Sequence, residues 1–217
     1  TNGTKMYIGG NGSYVYEYTL STAWDVSTAS YSSNSLYVGG QSTNIRGLFL
    51  KSDGTKIFAC LIGNDTVFEY DMSTAYDLST ASYSSNSISV ASNDTTPNAL
   101  AFTSDGLSFC IAGENSDTIY QYDMTTAWDV STASHNGYYD VTGQISGGAF
   151  PISVQFKNDG TKMYVSTYAA SPERIYEYDL SSAYTVTSGV SYNSKFGNVT
   201  VQSWGMEFNS TGTILIC

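Results

Sequence analysis

Cationic side chains are scarce in this chain of 217 residues: eight Lys and Arg stand against 19 Asp and Glu, for a formal charge of −11. A nucleic-acid-binding surface needs clustered Lys and Arg, and an anionic membrane surface attracts the same residues, so both partners are disfavoured. No apolar run is long enough to span a bilayer, and membrane insertion is not expected. Cysteine is limited to Cys60, Cys110 and Cys217. An odd set cannot close a disulfide framework, and all three lie in apolar segments, where they read as small buried hydrophobes. One histidine, His135, and no Cys-x-x-Cys pair leave thiolate-metal sites and Cys/His nucleophiles almost nothing to use. Nor does a Ser-His-Asp set assemble around His135, which reads as a rim-loop residue. Long helices want more Lys, Arg and Glu than this; the abundant Ser, Thr, Asn, Gly and Tyr favour strands and turns.

What is present is a repeat. A Gly after Asp or Asn, followed by a short apolar strand, occurs at Asn2-Gly3-Thr4-Lys5-Met6-Tyr7, Asp53-Gly54-Thr55-Lys56-Ile57-Phe58, Asp105-Gly106, Asp159-Gly160-Thr161-Lys162-Met163-Tyr164 and Thr211-Gly212-Thr213. Successive glycines are 51, 52, 54 and 52 residues apart. A second anchor keeps step with the first at Tyr16-Glu17-Tyr18, Phe68-Glu69-Tyr70, Tyr120-Gln121-Tyr122 and Tyr176-Glu177-Tyr178. A third follows each: Ser21-Thr22-Ala23-Trp24-Asp25-Val26, Ser73-Thr74-Ala75-Tyr76-Asp77-Leu78, Thr125-Thr126-Ala127-Trp128-Asp129-Val130 and Ser181-Ser182-Ala183-Tyr184-Thr185-Val186.

Each unit reads as four strands. The first alternates apolar residues (Leu48/Leu50, Leu100/Phe102, Val154/Phe156, Met206/Phe208), the period-two mark of a strand with one packed face. Gly47, Ala99, Ser153 and Gly205 keep that strand small on the residue before each pair, as close approach near an axis requires. The position before that varies freely as Arg46, Asn98, Ile152 and Trp204. Asp-Gly or Asn-Gly then closes a tight hairpin. The second strand is apolar on both faces, which calls for a sheet sandwiched between neighbours. The third carries the aromatic-Glu/Gln-Tyr anchor, and the fourth is polar: Leu36-Tyr37-Val38, Ile88-Ser89-Val90, Tyr139-Asp140-Val141, Val199-Thr200-Val201. Strands that grow polar from first to fourth fit a blade running from axis to rim. The fold class expected is therefore all-β, a β-propeller of four-stranded antiparallel blades with about four repeats of roughly 52 residues, forming part of a larger ring. The units fall at about 1–44, 45–96, 97–150 and 151–201, with a partial unit at 202–217 in one repeat array over 1–217. The apolar strand Ile214 to Cys217 would be left over from a four-bladed closure, so the array is expected to be a segment of a longer repeat protein. The repeated Trp or Tyr in the Ser-Thr-Ala stretch reads as a packing plug on a helical turn.

With its Asp-Gly-Thr-Lys strands, each followed by an aromatic-Glu-Tyr-Asp strand, the chain resembles the lactonase-like and YVTN surface-layer propellers. It is similar also to repeat propellers of surface, adhesion and phage structural proteins. The resemblance implies a propeller and, for the lactonase-like members, a divalent ion held by Glu, Asn and Asp at one face of the disc.

Residues present in every blade serve the blade, so function is sought in the departures, on loops near the axis. The loops from second to third strand carry Asn64-Asp65, Glu114-Asn115-Ser116-Asp117 and Ser171-Pro172-Glu173-Arg174; those entering first strands carry Asn44-Ile45-Arg46, Asn93-Asp94 and the stretch 143–151. Asp94, Glu114 and Asp117, with Asn44, are the candidate oxygen ligands for Ca2+ or another divalent ion, although no spacing here is diagnostic and no cofactor is required. Tyr138 and Tyr168 are the tyrosines free of the repeat that could stack on a sugar. The leading functional expectation is a non-enzymatic extracellular or virion-surface structural or adhesive module. It would have a protein or glycan partner, or further copies and blades of a larger assembly. The alternatives are a metal-dependent lactonase-like hydrolase or lyase and a lectin-like propeller.

Overall fold

The computed structural model describes residues 2–145, 148–168, 173–199, 205–208 and 215–216. Thr200-Val201, Trp204, Thr211-Gly212-Thr213, Ile214 and Cys217, together with Ser171-Pro172 of one axial loop, lie outside the described residues. The chain folds into successive antiparallel blades. The first has three strands, β1 (Lys5–Ile8), β2 (Tyr14–Leu20) and β3 (Ala29–Tyr37). The second has β4 (Ile45–Leu50), β5 (Lys56–Leu61), β6 (Thr66–Met72) and β7 (Ala81–Ser89). The third has β8 (Pro97–Phe102), β9 (Ser108–Gly113), β10 (Thr118–Met124) and β11 (Ala133–Asp140). The fourth has β12 (Phe150–Phe156), β13 (Lys162–Tyr168), β14 (Glu173–Leu180) and β15 (Val190–Val199). A separate pair, β16 (Glu207–Phe208) and β17 (Leu215–Ile216), follows. Each blade is a meander in sequence order, and the innermost strands β4, β8 and β12 lie beside one another. This is the all-β propeller that the repeat predicts.

The blades stack face to face, with a separate apolar core at each junction. Val15 and Leu36 of the first blade pack on Ile57, Phe68 and Tyr70 of the second. Cys60 and Val67 pack on Leu100, Phe109 and Tyr122, and Ile119 and Val141 pack on Val154, Met163 and Tyr178. The alternation along β5 is diagnostic: Ile57, Ala59 and Leu61 face one neighbour while Phe58 and Cys60 face the other. A middle strand therefore has no polar side. Cys60 and Cys110 are both buried and unbridged, and burial pushes their thiols far up from the ordinary value, so they act as hydrophobes.

Two repeated devices hold each blade in place. The first fixes the Asp-Gly hairpin. The Asp53 carboxylate accepts hydrogen bonds from Thr55 N (3.0 Å) and Oγ1 (2.7 Å). Gly54 follows with φ +74°, a conformation that glycine adopts without strain. The aromatic ring of the Ser-Thr-Ala stretch then lies flat on this glycine. Trp128 N–H donates to Gly106 O at 2.8 Å, and a Cβ on Gly106 would fall 2.2 Å from the Trp128 ring. Trp24, Tyr76 and Tyr184 sit likewise on Gly3, Gly54 and Gly160. The aromatic is the packing plug that its recurrence predicts.

The second device crosses from blade to blade. After the plug comes a single 3-10 turn (Val26–Thr28, Leu78–Thr80, Val130–Thr132), capped by Asp25, Asp77 or Asp129 through the Ser two residues on. In the second and third blades the main-chain N–H that opens this turn is satisfied by the preceding blade, and so is the Val186 N–H at the equivalent place in the fourth. Leu78 N–H donates to Glu17 Oε2 at 2.9 Å, Val130 N–H to Glu69 Oε2 at 3.2 Å and Val186 N–H to Gln121 Oε1 at 2.9 Å. Glu17 and Glu69 are each only 1% exposed, and each is neutralised by the lysine of its own hairpin, Lys5 (2.6 Å) and Lys56 (2.5 Å). A buried carboxylate needs such a partner. In the third blade Ser108 replaces the lysine and Gln121 replaces the glutamate, so cation and anion disappear together.

Two expectations change in detail. The fourth strand starts earlier than Leu36, Ile88 or Tyr139: β3, β7 and β11 begin at Ala29, Ala81 and Ala133, directly after the 3-10 turn. Their Ser- and Asn-rich first halves hid the strand because one side faces solvent, and a register shift interrupts each ladder. His135 accordingly lies on β11, not on a loop, exposed beside the rings of Tyr120 and Tyr122.

Removing the crossing carboxylate leaves the buried Val130 N–H without its acceptor and takes from half-buried Lys56 one of its two carboxylates, Asp71 remaining. Glu69→Ala is expected to cost about 3 kcal/mol, whereas Lys56→Ser with Glu69→Gln, which installs the third blade's neutral version, costs about 1 kcal/mol. Urea denaturation of the two variants would show this difference; equal losses would refute the charge-pairing account.

Candidate functional site at the axial mouth

The loops after second strands and those after fourth strands meet on one face of the disc. Ile62 N–H donates to Asn44 O (3.2 Å), Gly63 N–H to Thr43 O (3.4 Å) and Glu114 N–H to Thr96 O (3.1 Å). At this face each innermost strand begins with a bulge. Register slips between Ile45 and Gly47 on β4, between Pro97 and Ala99 on β8, and between Pro151 and Ser153 on β12. The extra residues are Arg46, Asn98 and Ile152, the positions that vary in the repeat. A bulged residue leaves the ladder and its side chain is re-aimed, so the architecture permits chemistry to change here while the blade stays intact.

Asn98 is completely buried (0% exposed). Its Nδ2 donates to Glu114 Oε2 at 3.0 Å and to Pro151 O of the next blade at 3.3 Å. Its Oδ1 is buried with no hydrogen-bond partner among the described residues. An orphaned buried acceptor is costly, and this one lies on the same side chain that fixes Glu114. Asn98 was legible only as a variable position; an Asn in the otherwise apolar run Pro97-Asn98-Ala99-Leu100 was the available signal.

Asp94 does different work. It is 3% exposed; Oδ1 accepts from Thr96 N at 2.7 Å, and Oδ2 accepts from Ser116 N at 3.1 Å and Ser116 Oγ at 2.8 Å. Gly113 makes room for it, since a Cβ there would lie 2.5 Å from Asp94 Oδ2. The carboxylate ties the two loops of the third blade together and has both oxygens engaged. Asp117 occupies the left-handed position of the β9–β10 turn (φ 48°), as Asp65 does in the β5–β6 turn (φ 50°). Desolvation, then the nearby charges of Asp140, Asp94 and Glu114, raise the Asp117 carboxyl above its ordinary value; desolvation and Asp94 do the same for Asp65.

The sequence candidates Asp94, Glu114 and Asp117 thus share one face and feel one another electrostatically. They do not converge as a ligand set: among the described residues no group of three His, Cys, Asp or Glu side chains is placed to hold a metal ion. A hard cation wants six or more oxygens, and both oxygens of Asp94 are already engaged by Thr96 and Ser116. Asn44 contributes its main chain, with φ 62°, to the loop bond with Ile62. Tyr138 is 58% exposed on β11, and Tyr168 stacks on Phe150 with centroids 5.1 Å apart.

No protein-family model matches the chain, and no curated protein matches it in sequence. Solved structures do match. A Bacteroides uniformis protein assigned as a 6-phosphogluconolactonase superposes with TM-score 0.64 at 13% identity, covering 99% of this chain and 60% of its own. A periplasmic gluconolactonase from Pseudomonas aeruginosa gives TM-score 0.59 at 12% identity, covering 98% and 59%. A chain of a nidogen/laminin complex gives TM-score 0.63 at 10% identity, covering 97% and 68%. At such identities the likeness is one of fold, and the chain spans about 60% of the length of the first of these structures. The leading sequence expectation, a non-enzymatic structural or adhesive surface module, is corrected here. Lactonase-type propellers, and not surface adhesins alone, stand among the structural neighbours, a likeness of fold. The repeat misled because its regular motifs describe only the scaffold. No helix among the described residues is long and apolar enough to cross a membrane.

The raised carboxyls at the mouth carry a sign. Asp65 and Asp117 bind their protons more tightly folded than unfolded, so folded stability rises as pH falls through their raised values and is lower at neutral pH. Asn tolerates the same left-handed turn position. Asp117→Asn is therefore expected to raise the Tm slightly at pH 7 and to flatten the rise in Tm as pH falls from 7 toward the ordinary carboxylate range near 4; calorimetry across that range checks it, and a lowered Tm at pH 7 would contradict it.

Proposed function

We propose that this propeller is a lactone hydrolase whose reaction takes place at the axial mouth, with Glu114 as the general base. The observation that carries the reading is the superposition of nearly the whole chain on a 6-phosphogluconolactonase-assigned propeller and a gluconolactonase. The chemistry of the mouth supports it: a carboxylate held at 3.0 Å by a wholly buried amide, on the face that also bears Arg46. In open propellers, as in other scaffolds, sites are built from loops and bulges on a rigid frame.

Glu114 takes a proton from a water molecule as its oxygen adds to the lactone carbonyl carbon. The carbonyl oxygen gains the negative charge, and the guanidinium of Arg46 offers the positive charge that stabilises it. When the carbonyl re-forms, the ring C–O bond breaks. The proton held by Glu114 passes to the departing alkoxide, and an open-chain hydroxy acid is released. Asn98 is a positioning residue: its Nδ2 fixes Glu114.

Glucono-δ-lactone and its 6-phosphate are the substrates to try, with ring opening followed by proton release. Turnover is expected from the natural chain. Glu114→Gln, which keeps the Asn98 contact possible, is expected to lower kcat by roughly 10²- to 10⁴-fold with little change in Tm. Hydrolysis no faster than the uncatalysed background, or full activity in Glu114→Gln, would refute the assignment.

A further inference from the structure

The junctions inside the array follow one plan, but they are not fastened equally. Between the second and third blades, Phe49 and Phe58 press on Phe102, with centroids 4.9 and 4.3 Å apart. The same two rings meet the plug ring Trp128 at 6.1 and 6.3 Å. At the equivalent places the third blade has Ala101 and Cys110, and both face the fourth blade. The plug of the fourth blade, Tyr184, meets Phe156 of its own blade instead (5.5 Å). Among the described residues one ring contact crosses this junction, Tyr139 on Tyr178 at 5.5 Å.

Three polar fastenings weaken at the same seam. Val130 N–H of the third blade is held by a carboxylate, Glu69, whereas Val186 N–H of the fourth is held by the neutral amide of Gln121; a charge-assisted bond is about twice as strong. The turn of the third blade is capped by Asp129, which accepts from Ser131 N at 3.0 Å. In the fourth blade Thr185 takes that place, its hydroxyl donates back to Ala183 O at 3.4 Å, and no 3-10 turn forms. Tyr70 Oη donates to Gln41 Oε1 (3.2 Å) and Tyr122 Oη to Asn93 Oδ1 (2.7 Å), each tying a third strand to the loop that leads into its blade. Their counterparts Tyr178 Oη and Gln144 Oε1 are both buried, and neither has a partner among the described residues.

We propose that the seam between the third and fourth blades is a hinge, at which the fourth blade opens while the second and third stay closed. The free energy of opening varies from place to place within a fold. Here ring packing, a charged bond, a cap and a tyrosine tie are all reduced at one junction. Opening uncovers Cys110, which is 1% exposed in this seam, and parts Asn98 from Pro151 O beside Glu114. Cys60, 0% exposed, lies in the other seam against Leu100 and Phe109. Each seam thus holds a thiol of its own. Both lie inside the array with a four-stranded blade on either side, and the hinge is independent of the lactone reading.

Labelling of the natural chain with N-ethylmaleimide under native conditions is the test, with Cys60 and Cys110 followed separately by peptide mass mapping. A buried thiol reacts only through opening. The rate at each cysteine, divided by its rate in the urea-unfolded chain, therefore reads its own seam. Cys110 is expected to react at least about tenfold faster than Cys60 on this scale. Thr185→Asp, which restores the cap, is expected to slow Cys110 about fivefold and leave Cys60 unchanged. Ser108→Lys with Gln121→Glu, which restores the charged crossing bond, is expected to act in the same direction. Equal protection of the two thiols, faster reaction at Cys60, or a Cys110 rate indifferent to both restorations would overturn the proposal.

Discussion

One acceptor per blade, reaching out of its own sheet to a main-chain N–H in the neighbour, sets the terms for the rest of the molecule. An N–H at the start of a turn packed against a neighbouring sheet has no partner of its own, so the blade before it must supply one. Glu17, Glu69 and Gln121 do so from the middle of the third strand. Burying the acid demands a cation within the same sheet, which the hairpin lysine supplies. Drawing the turn inward places Leu78, Val130 and Val186 in the inter-blade cores. The aromatic plug ahead of the turn rests on the Asp-Gly hairpin glycine, and Trp128 stacks further on Phe102 and on Phe49 of the preceding blade, so the glycine, the ring and the acid recur in step.

The frame built this way is rigid where it repeats and permissive where it does not. The ladder between first and second strands resumes one residue after each bulge, whether the bulged residue is Arg46, Asn98 or Ile152. A charged, an amide and an aliphatic side chain therefore occupy equivalent places without disturbing the cores behind them. In the third blade the consequence is a wholly buried Asn98 holding Glu114 from one side and the fourth blade's Pro151 from the other. The bulged side chain thus joins two blades at the same face where the candidate chemistry lies.

How much of this could be read from the residues follows from what repetition makes visible. The strands, the Asp-Gly turns and the aromatic plug were legible because each recurs four times at one spacing, and β5, apolar along both faces, required sheets on either side. The first half of β3, β7 and β11 was not legible, because Ser and Asn facing solvent carry no apolar alternation. The roles of Asp94 and Glu114 were not legible either. As loop carboxylates they look alike, and only the fold shows that Asp94 is saturated by Thr96 and Ser116 while Glu114 is held by a single amide.

The pairing of lysine with glutamate inside a blade, and of glutamate with a bare peptide group across the junction, bears on how such an array is inherited. Lys56 and Glu69 lie within one unit, so a duplication that copies from one Asp-Gly anchor to the next carries both charges at once. What the unit asks of its new neighbour is a peptide N–H, which every sequence offers. The exchange of both residues for Ser108 and Gln121 in the third unit is likewise confined to that unit. Whole blades can be gained, lost or reordered by recombination without an uncompensated charge being buried at any seam, while the bulged residue at each mouth drifts on its own.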